Sequence, residues 1–243
     1  MTQKTVSEAI NYRRAVRNYD ANIPIDTSLV KKCIEQASLA PSSSNMQLWE
    51  FHHIVSPEIK SKIATYSFNQ SAAKTAQELV VVVVRKDLWR KRIASNLGYL
   101  NTVYGDKPSS EQSSREKFAK TYYTKLMPFT YFDILGILGW LKYITFWIVG
   151  FFRPIYRETR SKDIRVVAHK SAGLAAQTFM LSMAAHGLDT CPMEGTDTKR
   201  IKKLLKLPYG AQINMVISCG TRIPEGVYGE RFRVPFDEVY KVW

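Results

Sequence analysis

Leu79-Val80-Val81-Val82-Val83-Val84 is an unbroken apolar run in which five of six residues are β-branched. It is too short for a long helix. The absence of polar alternation predicts a strand covered on both faces, not one lying on a solvated edge. Helical patterns stand on either side of it. Thr5 and Glu8 have capping-box spacing, and the helix they open runs through Val6, Ala9 and Ile10 into Arg13. After a turn at Ile23-Pro24, Asp26 caps a second helix in which Leu29, Val30, Cys33, Ile34 and Ala37 recur, with Pro41 stopping it. A second strand is expected over Trp49 to Val55, and Ser56-Pro57-Glu58 reads as the start of a third helix. A long helix over 164–186 is crowded with small residues and stops at His186-Gly187. Cys191 to Gly195 reads as a loop, followed by a short basic helix and a last strand, Ile213 to Cys219. Strands and helices mix in this way in the α+β and α/β classes.

The chain has 243 residues and is 45% hydrophobic, enough for a core without disulfide or metal staples. Cys33, Cys191 and Cys219 show no pairing pattern, and the N-terminus shows no apolar run behind a basic start. A reducing, cytoplasmic location follows as the expectation. Lys and Arg outnumber Asp and Glu by 35 to 21, a formal charge of +14, which favours anionic partners without choosing among them. Nucleic acid is disfavoured, because Arg85-Lys86 and Arg90-Lys91-Arg92 stand without a stacking motif or a known nucleic-acid module. His52, His53, His169 and His186 lack metal-ligand spacing and read as structural or surface residues, with His186 suited to be a helix C-terminal cation. No metal is expected.

Four segments carry chemistry. Arg13-Arg14-Ala15-Val16-Arg17 places three guanidinium groups in five residues, a phosphate clamp or a solvated basic helix end; Arg13 and Arg17 share a face while the helix continues. Pro41-Ser42-Ser43-Ser44-Asn45-Met46-Gln47 offers short hydroxyl and amide groups suited to the edge of a polar heterocycle, or makes an ordinary turn. Cys191-Pro192-Met193-Glu194-Gly195 can present backbone N–H groups at close range. Arg231 and Arg233 alternate on an extended segment, a second clamp or a charged edge.

In this order the four segments resemble the nitroreductase family of flavoproteins, over roughly residues 5–85 and 164–240. The resemblance implies an α+β fold, a mixed sheet wrapped by helices, in an intertwined homodimer with FMN at the interface. The whole chain, 1–243, would be one such domain carrying an insert at about 86–163. It further implies that Arg13, Arg14 and Ala15 meet the phosphate and ribityl end, where Ala15 replaces a frequent serine. Arg17 would meet the flavin ring and tune it. Pro41, Ser42, Ser43, Ser44, Asn45 and Gln47 would come from the partner subunit, with Leu48 standing where the family usually has proline. Asn69, in Phe68-Asn69-Gln70, would reach the pyrimidine ring; Pro192, Met193, Glu194 and Gly195 would cover one flavin face; and Arg231 with Arg233 would join the phosphate. The implied activity is ping-pong transfer of two electrons from NADH or NADPH to a small planar acceptor, a nitroaromatic or quinone. No catalytic side chain is needed, because the flavin does the hydride chemistry. A non-catalytic flavin-binding or membrane-surface module is the competing reading.

Within the insert, residues 134–152 contain one charge, Lys142. The length approaches a membrane span of about 20 residues. A span would put the two halves of the site on opposite sides of the membrane, and both flanks are basic. Two expectations remain for 126–165: a greasy lid over the cleft or dimer, or an aromatic helical hairpin making peripheral membrane contact.

Overall fold

The computed structural model describes residues 3–105, 107–134 and 136–243; Leu135 of the apolar run and Asp106 lie outside them. Trp49–Ile54 (β1), Glu78–Val84 (β2), Asp189–Met193 (β3) and Gln212–Gly220 (β4) form one sheet in the order β1-β2-β4-β3. The apolar run is therefore a central strand, and every residue of β2 is buried. Its period-2 alternation divides the core. Val80, Val82 and Val84 pack with residues of one cluster, and Leu79, Val81 and Val83 with those of another. Each such valine contributes roughly 1.5–3 kcal/mol through burial. The sheet was expected to be mixed. All neighbouring strands pair antiparallel, and the parallel element among the described residues is the single bridge Ala15–Thr190.

The helices before β2 are Val6–Tyr12 (α1), Thr27–Ala37 (α2), Pro57–Tyr66 (α3) and Ser71–Thr75 (α4). Both halves of the Thr5–Glu8 capping box form, and Asp26 and Ser56 cap α2 and α3 as expected. After β2 come Trp89–Tyr104 (α5), Ser114–Thr121 (α6), a π-helical turn at Tyr122–Leu126, Met127–Tyr131 (α7) and Ile137–Val149 (α8). Ser161–Ala185 (α9) precedes β3, Thr198–Leu204 (α10) follows it, and Phe236–Val239 (α11) is the last helix. Ala168, Ala172, Ala175 and Ala176 are buried to 1% exposure or less, so α9 lies against the core with its backbone close to α2 and the sheet.

Three local expectations change. The first helix ends at Tyr12, and Arg13 leaves it with ψ 121°. Val16 N–H then donates to the Thr190 carbonyl at 3.2 Å, so an extended segment replaces the shared helical face of Arg13 and Arg17. Cys191 and Pro192 belong to β3 and not to a loop; β3 is an outer strand, where proline's missing donor is tolerated. His186 does cap α9, and burial, with Lys32 nearby, pushes its pKa down, which disfavours the cap cation expected of it. His53 is structural: its Nε2 lies 2.6 Å from the Glu78 carboxylate, which is buried beneath it. His169 is structural too, bridging Gln212 and Asn214 of β4.

Candidate functional site

The Arg13–Arg17 segment and the C-terminal tail close one cleft of about 290 Å³. Its walls include Arg13, Arg14, Ala15, Arg17, Arg231 and Arg233. Two anchors deliver the tail. Asp189, almost fully buried, accepts from the Arg222 backbone N–H at 2.8 Å and from its Nε at 2.9 Å. Arg17 N–H donates to the Gly226 carbonyl at 2.6 Å, and a side chain at Gly226 would meet the Asn18 carbonyl at 2.5 Å, so glycine alone fits this approach. Arg231 then binds the carbonyls of Asn11 and Arg13 at 2.8 and 2.7 Å, and Arg14 binds that of Gly229 at 2.9 Å.

The electrostatics of this cleft are one-sided. Five guanidinium groups line it, and among the described residues none makes an ion pair with a carboxylate. Glu230 is the one acid in its walls. Burial lowers the pKa of Arg13, and the neighbouring Arg231 and Arg233 lower it further. Like charges held this close repel unless an anion separates them. Behind the cleft, burial pushes the Cys191 thiol up while Arg17 and Arg13 draw it partly back.

At its far end β3 runs into Glu194 and Gly195, both exposed. Gln70 Nε2 donates to the Gly195 carbonyl at 2.9 Å, and Asp197 N–H to that of Tyr66 at 2.7 Å. The Phe68–Gln70 and Pro192–Gly195 segments, far apart in sequence, are thus held together. Phe68 and Asn69 both take left-handed backbone conformations, φ 56° and 54°. Asparagine tolerates this; an exposed phenylalanine with no evident support does not do so freely. Phe68→Gly is expected to raise stability by up to about 1 kcal/mol in urea unfolding, through relief of that strain. A loss would show that the Phe68 ring makes a stabilising contact.

Pro41–Gln47 lies elsewhere in the chain and does not line the arginine cleft. Ser44, Asn45 and Gln47 are also left-handed. This loop is pinned by residues that sequence reasoning missed. Ser44 Oγ meets Tyr122 Oη at 2.6 Å, Tyr123 Oη donates to the Ser44 carbonyl at 3.0 Å, and Asn96 Nδ2 to that of Asn45 at 3.1 Å. Tyr122 and Tyr123 sit in a basic stretch with no periodicity, so no sequence signal marks them.

Ser43 and Ser44 border a cavity of about 470 Å³, and next to it lies a second of about 580 Å³; Phe129, Lys142 and Phe146 line both. Thr159, buried, leaves its Oγ1 without a partner in the wall of the first. Burial pushes the Tyr131 hydroxyl up to about 12 in the same wall. Residues of α8 line both spaces. Among the described residues no helix is long and apolar enough to cross a membrane.

Comparison with known proteins gives three kinds of match. The model of the Nitroreductase family matches residues 10–221, running through the 86–163 segment. A Bacillus subtilis protein named "Putative NAD(P)H nitroreductase YdgI" is 29% identical over 240 residues, covering 96% of this chain and 94% of that protein. Among solved structures, ydfN of Bacillus subtilis superposes with a TM-score of 0.73 at 22% identity, covering 98% of each chain. A protein of Exiguobacterium sibiricum solved in complex with FMN superposes with a TM-score of 0.67 at 22% identity, covering 100% of this chain and 99% of that one.

Proposed function

This chain belongs to the nitroreductase family, and from that premise we propose that it is an FMN-dependent NAD(P)H oxidoreductase. It works as a homodimer and passes two electrons, by a ping-pong cycle, to a nitroaromatic, a quinone or a similar planar acceptor. The observation that carries this reading is the cleft of five guanidinium groups, none of them ion-paired with a carboxylate among the described residues. A phosphate monoester is the anion such a donor set fits: guanidinium forks bind it through parallel charge-assisted hydrogen bonds. The name of the Bacillus subtilis relative and the FMN complex of the Exiguobacterium structure support the same donor and cofactor.

FMN, when bound, supplies the hydride chemistry. The chain's own residues do the rest. Arg13, Arg14, Arg231 and Arg233 hold the phosphate. Arg17, two residues from Ala15 on the same extended segment, would supply a fixed cation that stabilises negative charge on the ring. Asn69 would hold the pyrimidine edge. Among the described residues no protein acceptor takes the Gly195 N–H, so it would be free to donate to bound flavin. The Pro41–Gln47 loop, which does not line the cleft of its own chain, serves the site of the partner subunit. No side chain acts as a nucleophile.

The visible spectrum of the purified protein tests this. Flavin bands near ~450 nm are expected to bleach on anaerobic addition of NADH or NADPH. Bound flavin that neither nucleotide bleaches would instead favour a non-catalytic flavin-binding module. A protein that neither carries nor takes up FMN would overturn the assignment of the arginine cleft.

A further inference from the structure

We infer that α8 docks this protein onto an anionic lipid surface, lying in the plane of the interface. The two sides of α8 have different company. Leu138, Lys142, Thr145 and Phe146 turn toward the cavities beneath it. Ile137, Trp140, Ile144, Trp147 and Ile148 line none of them and are each 50–60% exposed. Their spacing puts them on one helical stripe, which Phe151 and Phe152 extend, 67% and 85% exposed. The cavities account for the inner side, and among the described residues the outer stripe stays half-exposed, with the Arg160 guanidinium 5.8 Å from the Trp140 ring. A contiguous aromatic and aliphatic patch of this kind marks an interaction surface.

Three observations select the occupant. First, the helix has 13 residues, too few to span a bilayer, while its outer stripe is of the mixed Trp, Phe and Ile type that settles between headgroups and acyl chains. Second, the only charge on α8 is turned inward. Lys142 Nζ donates to the Phe129 and Phe132 carbonyls, the latter at 2.6 Å, so the stripe itself carries no charge to desolvate. Third, the surroundings are basic. Residues 115–157 hold seven Lys and Arg against two acids, Glu116 and Asp133. Neither acid opposes an anionic surface: Glu116 is buried beside Lys120, and Asp133 accepts from the Gly139 N–H at the start of α8. Lys117, Lys125, Arg153 and Arg157 are exposed, the last two within eight residues of the end of α8. Apolar insertion and attraction to anionic headgroups therefore act together.

The test is co-sedimentation of the purified protein, with whatever flavin it carries, with vesicles of phosphatidylcholine alone or of phosphatidylcholine mixed with phosphatidylglycerol. Binding to the mixed vesicles is expected to exceed binding to the neutral ones by about tenfold and to fall as salt is raised. Trp147→Glu with Phe151→Glu should lower that binding about tenfold, with circular dichroism, flavin content and sedimentation state unchanged. Both positions are exposed, so folding is not at risk. A protein that stays in the supernatant, or a variant that binds as the unsubstituted protein does, overturns the inference. So does a change of oligomeric state in the variant, which would assign the stripe to a second copy of the chain. Flavin content and bleaching are read separately, so failure here leaves the assigned reaction standing.

Discussion

Arg14→Ala combined with Arg233→Ala is expected to weaken FMN binding by about two to four orders of magnitude, on the basis of roughly 1.5–3 kcal/mol for each hydrogen bond to a charged group. These two are the informative pair in the cleft. Arg231 also holds the Asn11 and Arg13 carbonyls, so its loss would mix binding with local structure. Arg14 makes one contact to the exposed Gly229 carbonyl, and Arg233 one to its own neighbour, Phe232. The double variant removes two positive charges from a group of five. Without flavin its melting temperature should therefore stay level or rise, while the stabilisation that added FMN confers on the unsubstituted protein should largely vanish. Fluorescence titration of the apoprotein and thermal melts with and without FMN give both quantities. Unchanged affinity would show that the cleft is not the phosphate site; a lower apoprotein melting temperature would show the arginines to be structural.

The second large effect is one of stability. Asp189→Ala is expected to cost about 3–5 kcal/mol, because it leaves the Arg222 guanidinium without its partner in a partly buried place. Asp189 begins β3, and Arg222 begins the tail, so this pair joins the sheet to the segment that carries Arg231 and Arg233. Hydrogen exchange should accelerate over 222–233 before the sheet itself opens. Urea unfolding checks the magnitude. A loss below about 1 kcal/mol would place the pair among ordinary exposed ion pairs.

Sequence reasoning reached the features whose causes are local. A capping box needs only Thr5 and Glu8, and a strand covered on both faces needs only the absence of polar alternation in Leu79–Val84. The identities of the cleft arginines were legible for the same reason: guanidinium chemistry does not depend on context. Their arrangement was not. Arg13 leaves the helix because Val16 and Arg17 find backbone acceptors on Thr190 and Gly226, more than 170 residues away in sequence. Pro192 reads as a chain break until its strand is known to be an outer one. The helices between 86 and 163 carry weak or uniform patterns: α5 buries only Ile93 and Asn96, and α8 only Gly139. A helix that buries one face so thinly leaves little periodicity to read. The residues that clasp the Ser43–Asn45 turn were invisible for a related reason, since Tyr122 and Asn96 acquire that role only when α5 and the π-helical turn fold back on the loop.

The crowding of positive charge around Arg13 also reaches beyond the site, into the protein's life in the cell. A native state that carries unrelieved repulsion holds a smaller margin over its unfolded chains, and whatever binds only the folded form widens that margin, by about 2.7 kcal/mol at a hundredfold excess over its dissociation constant. Newly made chains that meet a scarcity of the cofactor would then persist for less time before proteolysis than those that load promptly. The steady amount of this protein would follow the supply of flavin without any regulator to sense it.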